Sequence, residues 1–411
     1  MSHPLRALFI DMDSYFASVE QHVQPQLRGR PVGIAPMLAE TTCCIAASYE
    51  AKAYGVKTGT MVADARRLCP GIKIIEARPP LYVDVHHQIV DLVESCIHVD
   101  HVLSIDEMIC WLPKNWRTHQ IIHQVADQIK AKMTSTFSDA LGCSIGVAPN
   151  GWLAKMASKM EKPDGLVIIE SDDLPEKLYS LELKDLHGIG SSMELRLHAH
   201  GIHSVRDLCA TPKSTLHGIW KGVEGYRMWH KLRGELVEDY TREAMTRSIS
   251  HGHVLAPDLR QPSRAIAVVH RLTQKAGTRM RHQGLLTSRL ELHLRYVGQA
   301  AWSAKTSFPE TTDSLVLTQS IKFLWQQRPH PSTPIRKVNI VLGKLVREGQ
   351  YTPSLFEPEQ SEKRNRLNET LDSVNAKYGK QALYLGGAHE AIERVQAKIA
   401  FHHIPDMKVE D

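Results

Sequence analysis

The sequence predicts an α+β protein of more than one domain, and three observations lead there. Its 411 residues exceed one ordinary domain, and a hydrophobic share of 42% suffices for between roughly two and four packed cores. Apolar runs of strand length and stretches of helical period both occur along the chain. Charge is also divided unevenly: from Arg247 to Gln350 sixteen Lys and Arg meet five Asp and Glu, a net +11, so the rest carries −6 of the overall +5. A basic module on an acidic body suits a surface that tracks a phosphate backbone.

Composition also excludes some classes. The longest apolar stretches fall far below the roughly 20 residues that span a bilayer, and no basic segment leads into a long apolar one near Met1, so a protein without a membrane segment is expected, in the cytoplasm. Seven cysteines without C-x-x-C or zinc-type spacing fit reduced thiols there. Cys43 and Cys44 read as buried small hydrophobes, and the doublets His86-His87 and His402-His403 as solvated rather than metal-bound.

The first element is carried by "ALFIDMDSYFASVE", residues 7 to 20. Leu8 to Ile10 reads as a buried strand ending at Asp11, with Asp13 two residues on and Ser14 as the cap of a short helix through Glu20. A second acidic pair, Asp106 and Glu107, lies in "HVLSIDEMICWL", followed by the strand-like Met108 to Trp111. Two strand-borne acidic sites can meet on neighbouring strands, where their mutual repulsion calls for cations. Hard divalent ions with oxygen ligands, Mg²⁺ above all, are what such carboxylates collect, and two ions about 4 Å apart can serve both oxygens of a phosphoryl transfer.

Tyr49 and Lys52, three apart, share a helical face, and Lys162 opens the turn "KPDG". Residues 173–242 read as helical, with Gly188 and Gly190 flanking Ile189 ahead of a helix bearing Met193, Leu195 and Leu197. Beyond Arg247, "LELHLRYV" and "KVNIVLGKLV" alternate as strands, while "RAIAVVHRLTQKAGTRMRH" and "SLVLTQSIKFLW" read as helices. A four-stranded sheet backed by two helices accommodates them. Next comes the polar, Pro-containing "YTPSLFEPEQSEKRNR", and residues 363–385 read as a helix followed by a short strand.

"DMDSYFASVE", "ASYEAKAYGVKTGT", "SIDE", "GCSIGVAPNGWLAKMASKMEKPDGL" and "LHGIGSSMELRLHAHGIHSVRDL" stand in the order found in Y-family translesion DNA polymerases. From residue 6 to about 350 the chain most resembles the DinB-like, DNA polymerase IV-like branch. The resemblance implies a right-hand polymerase: palm 1–22 and 76–172, fingers 23–75, a helix-hairpin-helix thumb 173–242, a little finger 243–350, then a linker and tail 351–411. It implies template-directed, low-fidelity synthesis across damaged DNA by a monomer that binds primer-template DNA and dNTP. Asp11, Asp106 and Glu107 match the ligands of two Mg²⁺ ions, with the backbone carbonyl of Met12 assisting; for Asp13, ligation and organising the loop stay open. Phe16 matches the steric gate that refuses a 2′-hydroxyl, Tyr15 being a core residue. Tyr49, Lys52 and Lys162 match triphosphate contacts, Lys52 standing where Arg is usual. Gly188, Ile189 and Gly190 match the DNA-binding hairpin.

Two further departures bear on expectation. Met108-Ile109-Cys110-Trp111 replaces the usual Ala-Tyr-Leu-Asp and is expected to change packing beneath the site. Leu355 and Phe356 resemble the end of a peptide for the bacterial sliding clamp, although Gln350 lies six residues before Phe356 instead of about four. A catalytically silent scaffold would retain no need for the three acids, and a helix-hairpin-helix nuclease would leave Phe16 and the "YEAK" motif without a role.

Overall fold

The computed structural model describes residues 4–237, 246–351, 360–379 and 382–392, which fall into two compact units, one up to 237 and the other from 246. The first unit opens with strand β1 (Ala7–Met12) and helix α1 (Tyr15–Val23). A small subdomain follows: β2 (Val32–Ala35), β3 (Ala46–Ala47), α2 (Tyr49–Lys52), α3 (Val62–Leu68) and β4 (Lys73–Glu76). The chain returns through α4 (Pro79–Glu94), β5 (His101–Val102), β6 (Glu107–Trp111), α5 (His119–Thr136), β7 (Cys143–Ala148), α6 (Gly151–Met160) and β8 (Leu166–Ile168).

The main sheet runs β5-β6-β1-β7-β8, so β1 lies at its centre, antiparallel to both neighbours. Every residue of β1 is buried, which is why this strand reads as a continuous apolar run rather than an alternation. Helix α6 packs on β7 so closely that Gly146 is required there: a Cβ would lie 2.0 Å from the Ala154 carbonyl oxygen. Met108, Ile109 and Cys110 are all buried in β6, so the unusual residues after the acids do form the packing beneath the site. The smaller sheet, β3-β2-β4, covers its own core with α2 and α3.

Four short helices follow: α7 (Ser191–His198), α8 (Val205–Ala210), α9 (Lys213–Trp220) and α10 (Val223–Lys231). Their core is continuous with the main sheet through Phe9, Trp152, Leu186, Leu197 and Ile219. Leu195, expected on the apolar face of α7, is instead 69% exposed, because Leu197 is the residue of α7 that turns into this core.

In the second unit, β9 (Ser248–Val254), α11 (Pro262–His282), β10 (Leu285–Tyr296), β11 (Trp302–Thr311), α12 (Ser314–Gln326) and β12 (Ile335–Arg347) form a sheet ordered β11-β10-β12-β9. Leu290, Leu292, Leu294, Val338, Ile340 and Leu342 alternate inward against α11 and α12. The opposite positions, Arg289, His293, Arg295, Lys305 and Lys337, lie on the sheet's other face, with Arg295 paired to Lys337 in register. This is the four-stranded sheet with two helices that the sequence predicts.

Helix α13 (Gln360–Tyr378) forms as expected, and among the described residues after it, 382–385, no strand is found. Side chains meet the backbone groups that a strand partner would have met. Asn375 accepts from the Leu383 N–H and donates to its carbonyl, and Gln274 does the same for Leu385. A 3₁₀ segment, Gly386–Ala391, then packs on α11. Leu355, Phe356, His402 and His403 lie outside the described residues. Among the described residues no helix is long and apolar enough to cross a membrane.

Candidate active site

Strand register assembles the acids. Asp11 stands opposite Glu107 across the β1–β6 pair, and the Met12 N–H donates to the Asp106 carbonyl at 2.8 Å. Two motifs nearly a hundred residues apart therefore meet at one end of the sheet. Asp11 is only 7% exposed, and burial, offset in part by Lys162 and reinforced by Glu107 and Asp106, pushes its carboxyl up to about 6. Asp106 is likewise raised, chiefly by burial, against a 2.5 Å hydrogen bond from the Ser104 hydroxyl.

Two lysines answer these acids. The Lys162 ammonium lies 2.5 Å from Asp11 Oδ1 and 3.4 Å from Asp13 Oδ1, and Lys155 lies 2.8 Å from Glu107 Oε2. Because ammonium and hydroxyl donors hold the carboxylates apart in this way, no group of three His, Cys, Asp or Glu among the described residues converges in metal-binding geometry. The donor set itself is hard oxygen on a rigid sheet, which fits Mg²⁺-like ions. Asp106, Glu107 and Asp11 are the residues that could hold such ions.

Asp13 is held by hydrogen bonds from three elements. Its carboxylate accepts from the Ser144 hydroxyl at 2.9 Å, the Asp164 N–H at 2.8 Å and the Tyr49 hydroxyl at 3.2 Å, tying β1 to the "KPDG" turn and to α2. Ser14 sits at the N-cap position of α1, yet in a left-handed conformation with no side-chain capping bond. Its hydroxyl instead accepts from Lys52 at 2.7 Å, which corrects the expected capping role. Lys52 also lies 4.2 Å above the Tyr49 ring, and burial followed by nearby Lys162 lowers its pKa. Tyr49, Lys52 and Lys162 thus all border the acids.

Phe16, on the first turn of α1, stacks on Tyr82 of α4 with centroids 4.7 Å apart, while the Tyr15 hydroxyl donates to the Tyr82 carbonyl at 2.6 Å. Tyr15 is a core residue, as expected. His86 is not solvated. It lies on the core face of α4, and its Nδ1 donates to the Ile105 carbonyl at 2.9 Å, bracing the turn into Asp106. Cys44 is buried, whereas Cys43 is partly exposed because it pairs with Met61 at the rim of the small subdomain.

Further along, Gly188 adopts φ +95°, Ile189 is buried, and the Gly190 carbonyl accepts from the amides of Met193 and Glu194 to start α7. The hairpin is fastened to α6 by the Trp152 indole, which donates to the His187 carbonyl at 2.9 Å. Ser104, Ser144, Lys155 and Tyr82 escaped the sequence reading, which gives the buried His86 as solvated. For Lys155 one signal existed: it lies one turn plus three residues before Lys162 in a helix that must pack on the acid-bearing sheet.

Paired acids answered by lysines serve phosphate chemistry, and a neighbouring hairpin of this kind grips a backbone; fold and site together define a right-hand nucleic-acid polymerase. Residues 10–159 match the impB/mucB/samB family, 171–202 its helix-hairpin-helix motif, and 246–355 its C-terminal domain. A DNA polymerase IV of Pelotomaculum thermopropionicum is 30% identical over 92% of this chain and 93% of its own length. That of Bacillus velezensis is 28% identical over 92% and 91%. Among solved structures, a Y-family DNA polymerase chimera of Dbh and Dpo4 shares the fold with a TM-score of 0.68, at 22% identity over 83% of this chain and 99% of that one. The chain belongs to the impB/mucB/samB family of Y-family DNA polymerases. It is a DNA-directed DNA polymerase of the translesion kind, from a family that uses divalent metal ions.

Proposed function

We propose that Asp11, Asp106 and Glu107, assisted by the Met12 carbonyl, hold two Mg²⁺ ions for nucleotidyl transfer from dNTP to a primer 3′-OH. The observation that carries this reading is the register that sets Asp11 opposite Glu107. Bound there, the ions would supply stabilisation of the attacking and leaving oxygens of an in-line displacement. Asp13 organises the loop and leaves ligation to the other acids. Lys162, paired with Asp11, exchanges that partner for the triphosphate, beside Tyr49 and Lys52. Phe16 is the steric gate: a ribose hydroxyl against its ring would lose hydration without a partner.

The domain roles follow the same reading: palm 1–22 and 76–172, fingers 23–75, thumb 173–242, little finger 243–350 and a linker with tail 351–411. Gly188, Ile189 and Gly190 grip the duplex backbone, and the little-finger sheet follows it. Leu355 and Phe356 dock on a bacterial sliding clamp, and the polymerase works as a monomer in the cytoplasm, where seven free thiols stay reduced.

Primer extension with Mg²⁺ tests the core of this. Asp106→Asn is expected to lower incorporation by at least about 10³-fold while DNA binding is kept, since it removes a metal ligand and not a DNA contact. Retained extension would overturn the metal assignment, and template cleavage instead of extension would favour a nuclease.

A further inference from the structure

Away from the acids, the first unit buries a carboxylate that the reaction does not use. Glu20 is 0% exposed. It accepts from four directions: Arg78 Nε at 3.0 Å and the Tyr82 hydroxyl at 2.8 Å on Oε1, then Arg78 Nη2 and Gln24 Nε2, the latter at 2.8 Å, on Oε2. The spacing is a matched pair of helical turns. Phe16 and Glu20 stand four apart on α1, so they share a face. Arg78, at the N-cap position of α4, and Tyr82 stand four apart facing them. Tyr82 is consequently fixed at both ends, its carbonyl by the Tyr15 hydroxyl and its own hydroxyl by Glu20, and its face carries the Phe16 ring. Burial and the Glu20 charge both keep the Tyr82 hydroxyl protonated, so it stays a donor.

Burying a carboxylate costs several kcal/mol, offset here by four hydrogen bonds that in turn fix the positions of Arg78, Tyr82 and Gln24. We infer that Glu20 is a positioning residue for sugar selection: through Tyr82 it sets how far the Phe16 ring stands toward the incoming nucleotide. This rests on the reading of Phe16 as the gate. A ring unhooked from Glu20 can retreat by a fraction of an ångström, and displacements of that order are enough to alter selection about tenfold or more.

The test compares dCTP with CTP on one primer-template, using full-length protein, with kcat and KM measured separately. Tyr82→Phe removes only the hydroxyl, and Glu20→Gln removes the charge and turns one acceptor oxygen into an amide donor facing other donors, with melting temperature recorded for each. Both are expected to reduce the dCTP-over-CTP ratio of kcat/KM by about tenfold through faster ribonucleotide incorporation. An equal loss with both sugars, or an unchanged ratio, overturns the inference. Should Glu20→Gln fail to fold, Tyr82→Phe decides alone. Phe16→Ala separates the two levels: if it admits CTP while Tyr82→Phe does not, the positioning role falls and the gate stands, whereas if Phe16→Ala leaves selection unchanged, the gate itself falls.

Discussion

Burial among like charges governs Asp11. Its folded carboxyl, raised to about 6 from 3.8, contributes stability that is fully present below the unfolded value and lost as pH climbs through the folded one. Above that window the ionised acid costs on the order of 3 kcal/mol in the metal-free protein. Asp11→Asn stays neutral, so at pH 7.5 it is expected to melt a few degrees higher than the unsubstituted protein, with the gap narrowing toward pH 5. Adding Mg²⁺ should raise the melting temperature of the unsubstituted protein and not that of the variant. Differential scanning calorimetry at both pH values reads all of this. The acids were legible in the sequence only in combination: either pair alone is ordinary surface decoration, and it is two pairs, each beside a strand-like apolar run, that mark a site. Ser104 and Lys155 are not picked out there, and His86 reads as a solvated residue, since only strand register and helix packing bring them to the acids.

At the scale of elements, the site depends on how α6 lies on β7. The Cβ of an alanine at Gly146 would also come within 2.3 Å of the Ser158 amide, so the helix would have to lift away. Gly146→Ala is expected to destabilise by about 3 kcal/mol or more, read as a lower urea midpoint, and to abolish extension by moving Lys155 off Glu107. Strand and helix types were legible for β1, β6, α11 and α12, where period and length agree. Among the described residues 382–385 the expected strand is absent, and the backbone groups of Leu383 and Leu385 pair instead with the Asn375 and Gln274 side chains, a tertiary arrangement that no local pattern announces.

Over the whole molecule, charge separation is the property most directly read from the sequence. The basic share of 247–350 is not all free for DNA, however: Arg281 donates to Asp372 through Nε at 2.6 Å and Nη2 at 2.8 Å, and Arg271 donates to the Ala391 and Ile392 carbonyls. Lys305 and Lys337 lie on the sheet face opposite α11 and α12. Replacing both by alanine should reduce the slope of log affinity against log salt by about 2, measured by fluorescence anisotropy, with no preference among sequences. Arg281 also bears on how the protein can be shortened. Its side chain is only 11% exposed beneath α13, so trimming the chain back to residue 351 would take away its Asp372 partner, leave it only Thr278, Thr312 and Ser314, and bare the surface that α13 covers. A truncated enzyme that aggregates would then report a lost buttress for the little finger, and say nothing about clamp recruitment.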